Sequence, residues 1–469
     1  MSRKKKIIIA IVLIVVVIIV GLFVYSKKHN GTLPWNGGTF PIGGNIPETT
    51  NGTGTPDTTG TTPDGGGTGT PETNPNKRLF QVSKNAVGGF AVTYITRPIA
   101  PKTTPPVPAA EGTAGSTTTG VTTGGTTGTT SKATTTTKKT TTKVKTPPAP
   151  TTETVPAVRY AETGNGNIFE TIADTMIEKR LSNMTIPRII EAYFTDNGNN
   201  VIMRYLGDDG DTIQTYVGHL MGNIRDQEAP QENLQGGLLA QNISDVSVSP
   251  SGKNFLYLAP FGNKIATVLA DQTGSNRTDI FYTSFHSWLP MWTNDQYALF
   301  VTKASAYMPG FAYTVNTQTG GMVKTLGNIS GLMAKMSPDG KYLLYSRSVQ
   351  NGTKLYLLNI GNGTTTDLEI GTLADKCTWT MDSSAVYCAV PIGLGSGIYP
   401  DDWYQGIMTF SDTFWRIDPK GNYINYELFT PTKEGAPEID GINLQIDSSG
   451  KYLFFVNKKD GMLWKYDLK

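Results

Sequence analysis

The most informative local pattern in this chain is Ser337-Pro-Asp-Gly-Lys-Tyr-Leu-Leu-Tyr-Ser346. Pro338 fixes the backbone φ at the first corner of a turn, and the Asp339 side chain can bond the backbone two residues further on. Gly340 supplies the positive φ that closes the turn. The apolar run that follows is typical of a strand buried on both faces. The stretch therefore predicts a tight β-hairpin inside a layered, all-β core.

The same hairpin recurs through the C-terminal part of the chain. Close copies begin at Ser249 and Asp447, and weaker copies begin at Thr195, Trp292 and Trp379. Three of the five intervals between copies are about 40–45 residues long, which is the period of a four-stranded propeller blade. In the two copies that begin with Trp, we expect the indole to fill space between neighbouring blades.

The Ser-Pro-Asp-Gly-Lys turns resemble those of TolB-like and WD-like β-propeller repeats. The resemblance covers most of residues 157–469 and implies a propeller fold. The motif specifies a fold and not an activity, although propellers of this repeat type mostly act as interaction platforms.

Counting the hairpins predicts an all-β, seven-bladed propeller. Six blades are marked by the repeats, and a seventh comes from strands at 86–96, 158–162, 167–172 and 179–184. The last blade has three obvious strands at the C-terminus, and residues 78–83 can supply its fourth. Such closure joins the ends of the ring and removes an exposed edge strand. Because weak repeats allow the count to slip by one, six or eight blades are the alternatives.

The N-terminal segment predicts a membrane anchor. Residues 7–25 are uncharged and almost wholly aliphatic, and as a helix they would span about 28 Å, close to the thickness of a bilayer's hydrocarbon core. Four cations in residues 1–6 precede this run, so the positive-inside rule places the N-terminus in the cytoplasm. We therefore expect a single-pass membrane protein with an uncleaved signal-anchor helix and an extracytoplasmic, cell-surface propeller at 77–469. A cleaved signal peptide is the alternative, although its apolar region would normally be shorter.

Two low-complexity stretches accompany these domains. Residues 26–76 are rich in Gly, Thr and Pro and lack the apolar content to fold, so we expect a disordered stalk. Residues 97–156 are rich in Thr and carry several lysines, so we expect a disordered insertion within the first blade. This insertion is either a cationic arm that adheres to anionic envelope polymers or a solvated segment without a partner.

The charge distribution argues against a nucleic-acid-binding protein. The 469 residues carry 40 Lys and Arg against 38 Asp and Glu, a formal net charge of +2. Residues 1–156 hold 16 of the cations and 6 of the acids, so the part of the propeller at 157–469 is acidic and should repel polyanions. Three His and two Cys are too few for a histidine metal cluster or a cysteine-rich zinc module. The sequence therefore predicts no metal and no cofactor.

Cys377 and Cys388 flank the hairpin that begins at Trp379. If residues 381–384 form a four-residue turn, the two cysteines face each other in antiparallel strands, within bridging distance. An oxidising exterior then predicts a disulfide that stabilises the fold by roughly 2–3 kcal/mol and takes part in no chemistry. Two buried free thiols are the alternative.

The longest insertion within the ring, residues 391–411, predicts a binding rim. It falls between the second and third strands of the sixth blade, on the rim that also carries the blade-to-blade connections. Aromatic side chains beside carboxylates suit sugar stacking or peptide anchoring. The candidate binding residues are Trp288, Tyr307, Tyr399, Asp401, Asp402, Trp403 and Tyr404. The alternative is that these aromatics pack the long loop onto the ring.

The sequence favours a non-catalytic function and predicts no catalytic residue. It contains no Gly-x-Ser-x-Gly elbow, no phosphate-binding loop and no dinucleotide-binding fingerprint. We expect a membrane-anchored protein-interaction or scaffolding module whose partner is an envelope protein. A carbohydrate-binding module for envelope or environmental polysaccharide is the second hypothesis. A glycan hydrolase or lyase that uses Asp401 and Asp402 is the third.

Overall fold

The computed structural model of the protein describes residues 77–99, 152–221, 234–420 and 425–468. The predicted cytoplasmic tip at 1–6, anchor at 7–25 and stalk at 26–76 lie outside these residues, as does nearly all of the Thr-rich insertion. In the part of the chain that is described, no helix combines the length and the apolar character needed to cross a membrane. The membrane anchor therefore stays a prediction.

The described residues form seven four-stranded antiparallel sheets, so the predicted all-β, seven-bladed propeller is confirmed and the alternatives of six and eight blades are excluded. Blade one consists of β2 (Val87–Pro98), β3 (Thr152–Glu162), β4 (Ile168–Ile172) and β5 (Glu178–Arg180). Blade two consists of β6 (Ile189–Thr195), β7 (Asn200–Leu206), β8 (Ile213–Leu220) and β9 (Leu234–Leu238). Blade three consists of β10 (Asp245–Val248), β11 (Asn254–Phe261), β12 (Lys264–Asp271) and β13 (Thr278–Thr283).

The remaining blades repeat this order. Blade four consists of β14 (Trp288–Trp292), β15 (Tyr297–Thr302), β16 (Pro309–Asn316) and β17 (Met322–Ser330). Blade five consists of β18 (Met333–Met336), β19 (Tyr342–Val349), β20 (Gly352–Asn359) and β21 (Thr365–Asp367). Blade six consists of β22 (Cys377–Trp379), β23 (Val386–Pro391), β24 (Asp412–Ile417) and β25 (Asn425–Phe429). Blade seven consists of β26 (Gly441–Ile446), β27 (Tyr452–Asn457), β28 (Leu463–Asp467) and β1 (Leu79–Gln81).

Strand β1 closes the ring. It pairs antiparallel with β28, so that Leu79 lies opposite Tyr466 and Gln81 lies opposite Trp464. Residues 78–83 therefore supply the fourth strand of the last blade, as the sequence predicts. The pairing covers the outer edge of blade seven, which would otherwise present unpaired backbone groups.

Helical structure is confined to short pieces in the connections. One α-helical turn, α1 (Asp401–Tyr404), lies in the loop of blade six. The 3₁₀ turns within the described ranges are Asp196–Gly198, Ala374–Lys376 and Pro431–Glu434.

The first strand of each blade lies at the centre of the ring, where neighbouring first strands contact one another, as β2 and β6 or β10 and β14 do. The chain leaves each first strand at one end of the ring, called here the turn end, where the repeated hairpins lie. The blade-to-blade connections and the loop of blade six lie at the opposite end, called here the loop end. Strand β1 begins at the turn end. Its first residue, Leu79, lies opposite Tyr466, and Tyr466 in turn lies opposite Leu453, which lies just after the last hairpin turn.

The repeated turns are held by their own side chains. Asp339 accepts hydrogen bonds from the Ser337 hydroxyl, at 2.7 Å, and from the Lys341 backbone N–H, at 3.1 Å. Gly340 has a φ of 71°, a left-handed conformation that favours glycine. The Asp339 N–H also donates to the Ser383 hydroxyl of the next blade, at 3.0 Å. Each turn therefore closes its hairpin, and this one also joins two blades.

The predicted bounds of the Thr-rich insertion, 97–156, are too wide at both ends. Strand β2 continues to Pro98 and β3 begins at Thr152, and the two remain paired over their whole length. The extension is stabilised by Arg97, which binds Glu153 at 2.8 Å and Asp174 at 2.5 Å. Composition alone does not predict that the ends of β2 and β3 are strands, because each of them is stabilised by pairing with the other strand of the hairpin.

Two further sequence predictions concern blade six. Cys377 lies opposite Cys388 in the paired strands, and the structure joins their sulfur atoms in a disulfide. Trp379 is buried between blades five and six, where its ring stacks on Tyr342 and its indole N–H donates to the Lys335 carbonyl at 3.2 Å. This Trp therefore fills space between blades.

Candidate functional site

The loop of blade six, residues 392–411, folds against the loop end of the ring. Its turn of helix, α1, begins after Pro400, and the Asp402 carboxylate accepts a hydrogen bond from the Ile398 N–H at 2.8 Å. The Asp401 carboxylate reaches the loop of blade four, where the Ser305 hydroxyl and the Ala306 N–H both donate to it at 2.8 Å. Both adjacent carboxylates therefore hold the loop in place.

The aromatic residues of this loop point into the protein. Tyr399 is 2% exposed and donates its hydroxyl to the Gly395 carbonyl at 2.6 Å. Trp403 is 4% exposed, and its indole N–H donates to Asp440 at 3.0 Å. The partly buried Tyr404 donates its hydroxyl to Asp375 at 3.0 Å. In this arrangement the three rings pack the loop onto the ring of blades, which is the alternative that the sequence left open.

A fully buried ionic network lies beneath Trp403. The Lys376 ammonium donates to Asp412 at 2.8 Å and also to Asp440, and all three side chains are inaccessible to solvent. Burial raises the pKa of Asp412, an effect that the nearby Lys376 ammonium opposes. Lys376 also lies 5.6 Å from the centre of the Trp403 ring, close enough for a cation–π contact. The network thus links the loop of blade six to the first strands of blades six and seven.

The structure brings together only some of the predicted binding residues. Trp288 lies apart from the loop, between blades three and four, where it packs against Phe300 and Tyr313 and is buried. Tyr307 lies next to the Ser305–Asp401 contact and is 71% exposed. Of the seven predicted residues, Tyr307 is therefore the one whose aromatic ring is open to a partner.

Sequence reasoning missed a cavity of about 720 Å³ on the axis of the ring. Trp403 and Tyr404 close it at the loop end. Its walls come mainly from the first strands of several blades, and its polar side chains are Glu191, Tyr193, Asp245, Ser247, Lys335, Asp375, Asn443 and Lys458. The repeats could have revealed this cavity, because one position relative to the hairpin copies supplies several of its lining residues. The residue four positions before the start of a copy lines the cavity in five cases, namely Glu191, Asp245, Met333, Asp375 and Asn443.

The charged groups of this cavity differ in how they are paired. Glu191 accepts a hydrogen bond from Arg204 and another from the Tyr193 hydroxyl, the latter at 2.8 Å. Lys335 donates to the backbone carbonyls of Asp375 and Cys377, at 3.2 and 2.8 Å, and burial lowers its pKa. Lys458 donates to the Trp403 carbonyl at 2.5 Å.

Asp245 stands out among these groups. Burial, reinforced by the charge of Glu191, raises the pKa of Asp245 to about 7. In the part of the chain that the structure describes, its carboxylate accepts a hydrogen bond from the Val246 N–H at 2.7 Å and joins no ion pair. The charge of Arg204 opposes this rise in pKa, but among the described residues no cation pairs directly with the Asp245 carboxylate.

The described residues contain no group of three or more His, Cys, Asp or Glu side chains placed to hold a metal ion. The acidic residues Asp208, Asp209 and Asp211 lie together in a turn, where Asp209 accepts hydrogen bonds from neighbouring residues. Asp209 accepts hydrogen bonds from Thr212, which lower the pKa of its carboxyl group to about 2, and from the Asp211 N–H. These bonds close a surface turn.

No family model and no curated protein matches the sequence. Solved structures with a similar fold include TolB from Acinetobacter baumannii, at 13% identity and a TM-score of 0.36 over 66% of this chain and 78% of that one. Another is the β-propeller domain of the Trilobed protease from Pyrococcus furiosus, at 12% identity and a TM-score of 0.42 over 67% of this chain and 94% of that one. A third is the oligogalacturonate lyase from Vibrio parahaemolyticus, at 10% identity and a TM-score of 0.40 over 67% and 93%. Such distant similarities carry no information about activity.

Proposed function

We propose that this protein is a non-catalytic, membrane-anchored propeller that binds a protein of the cell envelope through its loop end. The observation that carries the proposal is a group of exposed apolar side chains on two contacting loops. Tyr307 and Met308 of blade four are 71% and 68% exposed, and Ile407 of blade six is 69% exposed. Exposed apolar side chains on loops that contact each other at the same end of the ring favour contact with a protein.

The contacts beneath this surface support a rigid binding platform. Asp401 joins the two loops through Ser305 and Ala306, and Trp403 fixes the longer loop to Asp440. A surface that is held in its bound shape loses less conformational entropy on association. The same contacts favour binding over glycan hydrolysis, because Asp401 and Asp402 are already engaged in holding the loop.

The chain topology supports a surface that faces away from the membrane. Strand β1 begins at the turn end of the ring, so residues 26–76 join the propeller there. If residues 7–25 anchor the protein with its N-terminus in the cytoplasm, the loop end is the end more distant from the attachment point. An envelope protein could then reach Tyr307 and Met308 without displacing the anchor.

The test is site-specific photo-crosslinking in intact source cells. A benzophenone amino acid replaces Tyr307 in the full chain, and a matched control carries it at Tyr282, an exposed tyrosine on the outer strand of blade three. We expect position 307, and not position 282, to yield one defined protein adduct. Loss of that adduct on adding Met308→Ser and Ile407→Ser would assign it to the proposed surface.

Two outcomes would overturn the proposal. Identical adducts from both positions would mean that the loop end has no preferred partner. An adduct from position 307 that resists protease and is broken down by periodate would favour the polysaccharide-binding alternative. Trp403 is unsuitable for this experiment, because its substitution would disturb the buried network with Asp440.

A further inference from the structure

The axial cavity is a second candidate site, separate from the apolar surface at the loop end. Its volume of about 720 Å³ lies within the range of about 300–1,000 Å³ that small-molecule sites occupy. The proposed protein contact uses side chains on the outside of the loops, whereas the cavity is lined by first strands. A ligand here would therefore be independent of the proposed envelope partner.

Three carboxylates line the cavity wall. Glu191 on β6 and Asp245 on β10 come from neighbouring blades, and Asp375 enters from the connection before β22. Glu191 has Arg204 as a partner and Asp375 accepts a bond from Tyr404, whereas Asp245 joins no ion pair within the described residues. The Lys335 ammonium bonds two backbone carbonyls, and no direct ion pair joins it to Asp245 within the described residues.

Another part of the wall is hydrocarbon. It is formed by Leu289, Pro290 and Met291 from β14, with Leu332, Met333 and Ala334 at the start of blade five. An apolar wall facing carboxylates matches a ligand that has an alkyl chain and a cationic end. An anionic ligand would be disfavoured because the three carboxylates outnumber the ammonium groups of Lys335 and Lys458 in the lining, and a neutral ligand would leave Asp245 without an ion-pair partner.

We propose that the axial cavity binds a small alkyl ammonium compound, as exemplified by a linear diamine. Its ammonium group lies between Asp245 and Glu191, and its alkyl chain lies against Leu289, Met291 and Met333. A primary ammonium has three donors and can bond both carboxylates at once. A second ammonium at the other end of the chain would face Asp375.

A second space adjoins the cavity on the side of the turn end. Trp403 and Tyr404 close the loop end, whereas Tyr193 and Val248 also line an adjoining space of about 460 Å³. That space is bounded by the hairpin turns of blades two and three, at Asn197–Gly198 and Ser249–Gly252. We expect a ligand to enter between these turns, without moving the loop of blade six.

Binding should be linked to the ionisation of Asp245, whose pKa is raised to about 7. An ammonium ion favours the ionised carboxylate, so binding below this pKa releases a proton and the affinity rises between about pH 6 and pH 8. Asp245 faces or neighbours several titratable and charged groups that belong to the same environment, namely Glu191, Tyr193, Arg204, Lys335, Asp375, Tyr404 and Lys458.

Isothermal titration calorimetry of the full chain with 1,5-diaminopentane tests the proposal. We expect one molecule to bind per chain at pH 8, and 1,5-pentanediol, its uncharged counterpart, to bind at least about tenfold more weakly. Asp245→Asn should weaken diamine binding by a similar factor. Asp209→Asn, which removes an exposed carboxylate in a distant turn, should leave the affinity unchanged.

Proton release provides an independent readout. Titrations at pH 6.5 in two buffers of different ionisation enthalpy should show protons released on binding to the wild type and fewer released by Asp245→Asn. Equal binding of the diol, or diamine binding that is unaffected by Asp245→Asn, would overturn the proposal. Absence of diamine binding at millimolar concentration by a protein that still melts cooperatively would overturn it as well.

Discussion

The two ends of the propeller are built by different interactions. At the turn end, each hairpin is closed by bonds between residues a few positions apart, as Ser337, Asp339 and Lys341 show. At the loop end, the cover over the axis is held by partners far apart in sequence, such as Asp401 with Ser305 and Trp403 with Asp440. Local bonds produce a repeated and interchangeable unit, whereas long-range contacts build a surface that occurs once in the described ring.

Of the substitutions that compare the two ends of the ring, Lys376→Met at the loop end is expected to lower the unfolding free energy most. The substitution leaves Asp412 and Asp440 buried without their cation, which should cost about 3–5 kcal/mol of unfolding free energy. Because burial raises the pKa of Asp412 and Lys376 opposes that rise, removal of the ammonium should favour the protonated form of Asp412, and the loss should be smaller at pH 5 than at pH 8. Urea denaturation at the two pH values measures both quantities.

The matched control for Lys376→Met is Lys459→Met. Lys459 pairs with Glu438 at 2.7 Å, but that glutamate is largely exposed. Exposed ion pairs contribute at most about 1 kcal/mol. Similar losses in the two variants would show that the buried network is not what holds the loop end together.

An intermediate effect is expected from the disulfide of blade six. The two cysteines are 11 residues apart, and the chain-entropy relation gives a stabilisation of about 3 kcal/mol for a loop of this length. Cys377→Ala combined with Cys388→Ala should lower the urea midpoint and make it insensitive to dithiothreitol. The prediction fails if the wild type keeps its midpoint in reductant after thiol labelling has shown that both cysteines are free.

The smallest effect is expected at the turn end, from Gly340→Ala. A Cβ at this position would make an ordinary contact of 3.8 Å with the Asn294 amide nitrogen, but the φ of 71° disfavours any residue with a side chain. The cost should be about 1 kcal/mol, seen as a small fall in the thermal midpoint. Gly393→Ala is the control, because its Cβ would meet open space and its φ lies outside the left-handed region. Equal changes in both variants would show that the turn geometry is not the cause.

The ring of blades can be predicted from the sequence pattern. Its hairpin motif specifies turn, strand and period within about ten residues, so the seven blades, the closing strand and the pairing of Cys377 with Cys388 can all be predicted from local pattern. Burial on both faces of the second strands follows from the same apolar runs, as in Leu343 and Leu344.

Which residues are available for function depends instead on contacts between distant parts of the chain. The pattern of residues 391–411 does not distinguish an exposed aromatic platform from a packed loop, because that depends on distant acceptors such as Asp440 for Trp403 and Asp375 for Tyr404. Asp245 gains its raised pKa only when the first strands converge and remove its carboxyl group from water. Backbone turns are set by neighbours along the chain, whereas burial and charge pairing are set by neighbours in space.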